Sequence, residues 1–189
     1  TLDHAEALVH SCDVFFYQLA LMLTIDELHE AATAFGLGQP CVALFPEEAA
    51  GIVPSTRWYD RRFGEGGWSQ GVMLNNIIGQ GELLVTPLQM ALLAARVATS
   101  GGCGRPVFVL APEEPPAAYR SREPLPRLPF PEKDLAWVRQ TMTQVVDEGT
   151  GSAARLAGIP VAGKTGTSQN PHGEDHAWFM CYAPADDPQ

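Results

Sequence analysis

The chain has 189 residues, enough for one domain, or most of one, with a substantial core. Hydrophobic residues make up 46% of it and charged residues 18%, the balance of a globular protein, and no apolar tract is long enough to span a bilayer. The net charge of -10, from 22 acidic against 12 basic residues, argues against a nucleic-acid-binding surface, so any bound anion must be met by local cations.

A short helical or turn segment is predicted at residues 3–10, and it leads into a nearly continuous apolar run at 14–23. This run is too short to cross a membrane, so it is predicted to be a buried helix. Ser11 or Asp13, directly before it, would supply the side-chain oxygen of a helix N-cap.

The next predicted helix begins at a capping box, in which Thr24 precedes Glu27 by three residues, and it ends at Gly36. Residues 37–71 are rich in glycine, proline and aromatic residues, and they are predicted to form a long irregular segment. Loops of this length in a compact domain usually support function. A turn is predicted at residues 75–81.

Two further helices are predicted beyond this turn. Thr86 as N-cap and Pro87 at the first position begin a helix that runs to about Thr99. The proline-rich residues 111–131 are predicted to be an extended surface connector. Residues 132–148 have apolar side chains at helical spacing, with proline before them and glycine after them, and they predict an amphipathic helix.

The last part of the chain predicts two strands. Residues 150–156 predict one short helix, in which Thr150 is interpreted as a cap rather than a catalytic residue. A short, glycine-flanked strand follows at residues 162–168, and a β-rich run at 175–183 is predicted to pair with it in antiparallel fashion through the loop 168–174.

The first of these strands carries the most informative motif, Lys164-Thr165-Gly166-Thr167. An ammonium group, two hydroxyls and a glycine on one short strand form an edge that can receive an anion and allow close approach of a ligand. Lys-Thr-Gly-Thr is one of three motifs found in penicillin-binding proteins and serine β-lactamases. Alone, such a sequence is more often a surface turn, so the rest of the chain decides its meaning.

Other segments occur in the order found in one family. Ser11-Cys12-Asp13 is similar to the family's second motif, and further similar segments occur at residues 51–64, 78–81, 84–91 and 176–184. With these segments, the chain resembles the transpeptidase domain of class B penicillin-binding proteins. Asp13, where many relatives have asparagine, points to the cell-elongation type, penicillin-binding protein 2.

The resemblance implies an α+β fold of the penicillin-binding protein and serine β-lactamase kind, with an antiparallel sheet packed against helices. It also implies a serine acyl transferase site. In that site Ser11 would relay a proton to the leaving group, and Asp13 would hydrogen-bond neighbouring groups to hold that corner. Lys164 would face Ser11, ease proton movement and attract the substrate carboxylate.

The remaining site residues follow from the same resemblance. The hydroxyls of Thr165 and Thr167 would bind the substrate carboxylate, and Gly166 would leave room for the substrate backbone. The amide of Thr167 would be one oxyanion donor, and the substrate would pair with the strand edge by β-augmentation. Trp178, on the neighbouring strand, would form a wall of the cleft.

One motif of the family is missing, since no Ser-x-x-Lys occurs anywhere in the 189 residues. Residues 1–189 are therefore expected to be a partial transpeptidase domain, truncated at both ends. It would lack the Ser-x-x-Lys segment, with its nucleophilic serine, and the last strand and helix. This chain alone is predicted to be inactive.

The function expected for the full-length protein is that of a peptidoglycan D,D-transpeptidase that cross-links D-alanyl-D-alanine stem peptides during cell elongation and is inhibited by β-lactams. It would work on the extracytoplasmic, periplasmic face of the inner membrane, anchored by an N-terminal helix, with a membrane glycan polymerase and elongation-complex proteins as partners. Two alternatives are a penicillin-sensing or catalytically inactive homologue that keeps the cleft for recognition, and a β-lactamase.

Metal binding is an alternative for two groups of residues. The four cysteines are scattered without Cys-x-x-Cys spacing, but Cys12 lies among carboxylates and imidazoles within residues 3–13. A structural zinc near Cys12 is one interpretation, and zinc at His172 and His176 is another. Neither spacing matches an established ligand pattern, and no cofactor is expected to be required.

Overall fold

The computed structural model describes residues 2–41, 47–106, 124–170 and 172–188. Helices make up most of the regular structure in these ranges, and two strands follow them near the end of the chain. The elements are α1 (His4–Val9), α2 (Asp13–Ala20), α3 (Ile25–Ala34), α4 (Thr56–Phe63), α5 (Val72–Asn76), α6 (Pro87–Ala98), α7 (Glu132–Asp147), a 3₁₀ helix (Ser152–Ala154), β1 (Ala162–Ser168) and β2 (His176–Tyr182).

The two strands form an antiparallel pair, as the sequence predicted. The register runs from Ala162 opposite Tyr182 to Ser168 opposite His176. Within the described residues, one edge of β1 pairs with β2 and no named strand pairs with the other edge. The free edge is therefore open to a ligand.

A hydrophobic cluster supports this sheet from the helical side. Ala162 of β1 is fully buried against Met142 of α7 and Val97 of α6, and both of these side chains are also buried. Helix α7 packs on β1 while α6 packs on β2. The predicted amphipathic helix at 132–148 is confirmed, and its apolar face fixes the position of β1.

A second cluster holds the helices on the other side of the cleft. Ala20, Ile25, Tyr59 and Met73 are buried together, so α2, α3, α4 and α5 share one core. Tyr59 donates a hydrogen bond to Glu82 (2.7 Å) and accepts one from Asn76 (2.8 Å), which ties α4 to α5 and to the residues after it.

Two predicted helix starts are confirmed in detail. Thr24 accepts a hydrogen bond from the amide of Glu27, whose carboxylate accepts in return from the Thr24 amide. Thr86 forms the same kind of box with Gln89, and Pro87 occupies the first helical position of α6. Both signals lie within four residues, so neither depends on the rest of the fold.

The prediction of a buried helix over 14–23 is wrong. Helix α2 ends at Ala20, its only buried residue, and its N-cap is Cys12, with no side-chain cap bond from Ser11 or Asp13. Val14 and Met22 are 63% and 80% exposed. Helix α2 packs mainly on α1 and α5, and in the described parts of the chain no element covers its remaining apolar face.

The predicted irregular segment at 37–71 contains a helix, α4, which the sequence analysis missed. Ser55 caps it by accepting from the Trp58 amide at 3.2 Å. The predicted turn at 75–81 is also shifted, because α5 continues to Asn76. Residues 42–46 of the irregular segment and 107–123, which include most of the predicted connector, lie outside the described residues. None of the helices in the described ranges is long and apolar enough to cross a membrane.

Candidate active site

A cleft of about 530 Å³ lies along the free edge of β1. Three parts of the fold form its walls. They are the corner between α1 and α2, the turn that follows α5, and β1 together with Thr150, which lies two residues before the 3₁₀ helix. Its lining residues are Leu8, Ser11, Asp13, Phe16, Ile77, Ile78, Gln80, Thr150, Lys164, Thr165, Gly166 and Thr167. The structure thus brings together the predicted second and third motifs.

Ser11 is presented to the cleft by the end of α1. The amide of Cys12 donates to the carbonyl of Ala7 (2.9 Å), and the amide of Ser11 donates to that of Leu8 (3.3 Å). These two bonds define a Schellman motif, in which the residue at the Ser11 position adopts the left-handed conformation. Ser11 has a φ of 51°, a conformation that glycine adopts with less strain.

Lys164 reaches across the cleft to Ser11. Its Nζ donates a hydrogen bond to Ser11 Oγ and another, of 3.0 Å, to the carbonyl oxygen of Thr165. Burial lowers the pKa of Lys164, and the nearby charge of Asp13 opposes that shift. The arrangement places an amine that can release its proton more readily than a free lysine beside a hydroxyl.

Thr150 belongs to this group, although the sequence analysis assigned it to a helix cap. Its Oγ1 lies 2.8 Å from Thr165 Oγ1 and 3.4 Å from Ser11 Oγ. The cap interpretation is corrected, because the N-cap of the 3₁₀ helix is Gly151, without a side-chain cap bond. Thr150 is held there by its amide, which donates to the carbonyl of Val9 (3.3 Å).

Gln80 belongs to the segment 78–81 that resembles the family, but no site role was predicted for it. It lies in the turn after α5, and its Nε2 donates to the carbonyl oxygen of Thr167 at 2.7 Å. Its Oε1 accepts from the amide of Gln169 at 3.4 Å. The turn is therefore attached to the end of β1 at the opposite end of the cleft from Ser11.

Asp13 and Trp178 differ from their predicted arrangements. Asp13 lines the cleft, but it is exposed and its side chain forms no hydrogen bond with any described residue, so its influence on Lys164 is one of charge. Trp178 lies opposite Gly166 in β2 and is not among the lining residues. Because the cleft opens on the unpaired edge of β1, the strand itself separates Trp178 from it, and the predicted wall position is corrected.

The candidate metal ligands do not converge. In the ranges that the structure describes, no three His, Cys, Asp or Glu side chains lie close enough together to hold a metal ion. Cys12 is a free cysteine of intermediate exposure, and His172 and His176 are both exposed.

Sequence and structure comparisons agree with this geometry. The model of the penicillin binding protein transpeptidase domain family matches residues 1–189. The curated peptidoglycan D,D-transpeptidase MrdA of Acinetobacter baumannii is 31% identical over 201 residues, which cover 97% of this chain and 30% of the relative.

Two solved structures extend the similarity to the fold. The Pseudomonas aeruginosa PBP2 in complex with WCK 5153 has a TM-score of 0.86 at 33% identity, with 100% of this chain and 42% of that chain covered. The Helicobacter pylori PBP2, solved in complex with MreC, has a TM-score of 0.83 at 31% identity, with 99% and 34% covered. These neighbours confirm the expected α+β fold.

The chain spans 30% and 32% of the length of two curated MrdA relatives that it matches. Those two matches cover 97% and 99% of this chain. The chain therefore belongs to the penicillin-binding protein transpeptidase domain family, and it is similar to the members of the PBP2/MrdA type.

Proposed function

We propose that this chain is part of a peptidoglycan D,D-transpeptidase that cross-links stem peptides by serine acyl transfer during cell elongation. The observation that carries the proposal is the hydrogen bond from Lys164 Nζ to Ser11 Oγ, which joins residues 153 positions apart across an open cleft. A partly buried amine beside a hydroxyl is the arrangement needed to move a proton during acyl transfer.

The chemistry assigns a defined step to this pair. A nucleophilic serine gives its hydroxyl proton to a base, a role that the lysine of a Ser-x-x-Lys segment would fill, and attacks the carbonyl carbon of the penultimate D-alanine. The bond to the terminal D-alanine nitrogen then breaks. The leaving amine takes a proton from the Ser11 hydroxyl, and Lys164 replaces that proton. The acyl group then passes to the amine of a second stem peptide.

The nucleophile of that reaction comes from a Ser-x-x-Lys segment, which the 189 residues do not contain. This chain by itself is consequently expected to be inactive. It contributes the proton relay, the substrate-binding edge of β1 and the amide of Thr167, which lies on the free edge and can donate to an oxyanion.

Substrate recognition would use the hydroxyls beside Lys164. Thr165 and Thr150 are 2.8 Å apart, and the lysine ammonium lies next to them. Together they offer a charge and two hydroxyl donors to a terminal carboxylate. Gly166 keeps the strand open beside them, and Thr167 adds a third hydroxyl along the same edge. β-Lactams would acylate the nucleophilic serine of the Ser-x-x-Lys segment.

The partners are inferred from one structural relative, and the location from the substrate. The Helicobacter pylori PBP2 was solved with MreC, and we extend an elongation-complex partner of this kind to the protein that contains this chain. A membrane glycan polymerase would supply the strands to be cross-linked. The substrate lies outside the cytoplasmic membrane, so the domain would work on the periplasmic face, held there by a membrane anchor.

The test is covalent labelling of the full-length protein with a fluorescent penicillin. We expect the wild type to take a stable label and Lys164→Ala to lower the labelling rate by about 10²–10⁴-fold, the range of general acid–base effects. Lys133→Ala is the matched control, since Lys133 is exposed in α7 and is the chain's only other lysine. It should label like the wild type.

Absence of any covalent label on the full-length wild type would refute the enzyme assignment. Rapid loss of the label would instead indicate a β-lactamase. The 189-residue chain alone is expected to take no label, and a stable adduct on it would contradict the assignment of the nucleophile to a Ser-x-x-Lys segment.

A further inference from the structure

The side chain of Gln80 closes one end of the cleft. Its carboxamide donates to the carbonyl oxygen of Thr167 at 2.7 Å and accepts from the amide of Gln169 at 3.4 Å. Both partners are backbone groups at the end of β1, Thr167 within the strand and Gln169 directly after it. A residue of an added strand would use its own amide and carbonyl in the same way.

The position of these groups determines what Gln80 can influence. In an antiparallel strand the amide and carbonyl of one residue point to the same neighbour, and alternate residues point to opposite edges. Because the Thr167 carbonyl faces Gln80, the Thr167 amide also faces the free edge, where the cleft lies. The orientation of this oxyanion donor is thus coupled to a contact on the carbonyl oxygen of the same residue, three bonds away.

We propose that Gln80 is a positioning residue for acyl transfer: it holds the Thr167–Gln169 end of β1 against the turn after α5 and so fixes the direction of the Thr167 amide. The inference rests on the proposed function. Gln80 touches no reacting atom in this role and acts through the strand.

The same contact limits where a ligand can pair with β1. Gln80 occupies the Thr167 carbonyl and the Gln169 amide, so an extended substrate can pair with β1 only as far as the Thr167 amide and ends at the turn. The cleft is then bridged at both ends, by Lys164 with Ser11 and by Gln80 with Thr167. The distance between these two contacts would select a short extended segment as substrate.

The test uses the full-length protein and its acylation by a fluorescent penicillin, measured over a range of concentrations to separate binding from the limiting acylation rate. We expect Gln80→Ala to lower the limiting rate by about 10–100-fold, since small misplacements of a catalytic group have effects of this order. The melting temperature should change by only a few degrees, because the lost contacts are exposed. Gln80→Asn, with a side chain one methylene shorter, should behave like Gln80→Ala.

Gln80→Glu distinguishes a positioning role from a merely structural one, because only the positioning role predicts a pH-dependent acylation rate for this variant. A carboxylate can still accept from the Gln169 amide but repels the Thr167 carbonyl, whereas the protonated acid can donate to it. The rate of this variant relative to wild type should therefore recover as the pH falls toward the range in which glutamate protonates, near 4–5.

Gln70→Ala is the matched control. Gln70 also donates from its side-chain amide to a backbone carbonyl, that of Leu23 at 3.0 Å, but it lies away from the cleft. It should label at the wild-type rate. Labelling of Gln80→Ala at or above the wild-type rate would overturn the inference while leaving the proposed function intact. If the wild type takes no label, the proposed function itself fails.

Discussion

The two long walls of the cleft are supported in different ways. Strand β1 rests on a packed core, in which Ala162 is fully buried and Met142 is 3% exposed. Helix α2, which follows Ser11 on the other wall, buries only Ala20 and leaves Val14 mostly exposed. The strand is therefore positioned by the interior of the domain. On the other wall only α1, with Ala7 and Val9 buried, packs against α7, while α2 remains largely uncovered by the described residues.

This difference separates two requirements of the site. Residues beneath β1 should matter for folding and affect catalysis through the position of the strand. Residues at the α2 corner should matter for catalysis while contributing little to stability. Ser11 should even lower the stability. Substitutions on the two walls test this difference.

The largest effect is expected from Ser11, where function and backbone preference conflict. Ser11→Gly and Ser11→Ala both remove the hydroxyl that accepts from Lys164, so both should lower acylation by about 10²–10⁴-fold in the full-length protein. Their stabilities should differ, because glycine relaxes the left-handed conformation at this position while alanine keeps its strain.

Thermal unfolding of the two variants provides the measurement. Ser11→Gly should be more stable than Ser11→Ala by about 1 kcal/mol, the usual preference of a left-handed site for glycine. Equal melting temperatures would show that the corner is not held in the left-handed conformation, and full activity of either variant would remove Ser11 from the relay.

The next effect concerns support beneath the strand. Met142→Ala leaves a cavity next to Ala162, so it should cost about 2–5 kcal/mol of unfolding free energy and lower the melting temperature by roughly 4–20 °C. Met22→Ala is the control of identical chemistry, because Met22 is 80% exposed after α2. It should change stability by less than about 0.5 kcal/mol. A comparable loss in both variants would mean that the α2 side is as well packed as the strand.

The smallest effect is a shift in pH dependence. Burial lowers the pKa of Lys164, and the charge of Asp13 opposes this. If the ammonium form supplies the proton, acylation should fall as the pH rises through that lowered pKa, by up to tenfold per unit. Asp13→Asn removes the opposing charge, so the fall should begin at a lower pH. An unchanged profile in the labelling assay would argue against Lys164 as the titrating group.

The lowered pKa of Lys164 also determines how its contribution to stability changes with pH. A lysine with a lowered native pKa binds fewer protons in the folded than in the unfolded state, so its contribution to stability rises with pH. This rise is confined to the window between the lowered value and the unfolded pKa of about 10.4. Lys164→Met should abolish the rise in that window, which chemical denaturation at several pH values can measure.

The parts of the fold that were predictable from the sequence depend on nearby residues. Thr24 with Glu27, and Thr86 with Pro87, specify helix starts within one turn, and the structure has both. The strand pair was also predictable, because a glycine-rich polar strand and an aromatic strand lie on either side of a short loop.

The rest depends on distant contacts. Thr150 joins the site because its amide bonds to Val9, at the end of a helix more than a hundred residues earlier. Gln80 joins it through backbone groups of β1. Neither contact leaves a local pattern. The burial of α2 was mispredicted for a related reason, since an apolar run specifies a preference for burial and not the presence of a partner that covers it.

The lowered pKa of Lys164 also makes it accessible to selective chemistry. The chain has only two lysines, Lys164 and the exposed Lys133. An amine with a lowered pKa has a larger neutral fraction near pH 7 and is a better nucleophile toward acylating reagents or aldehydes. An inhibitor bound in the cleft could use this lysine as a covalent attachment point without involving a serine.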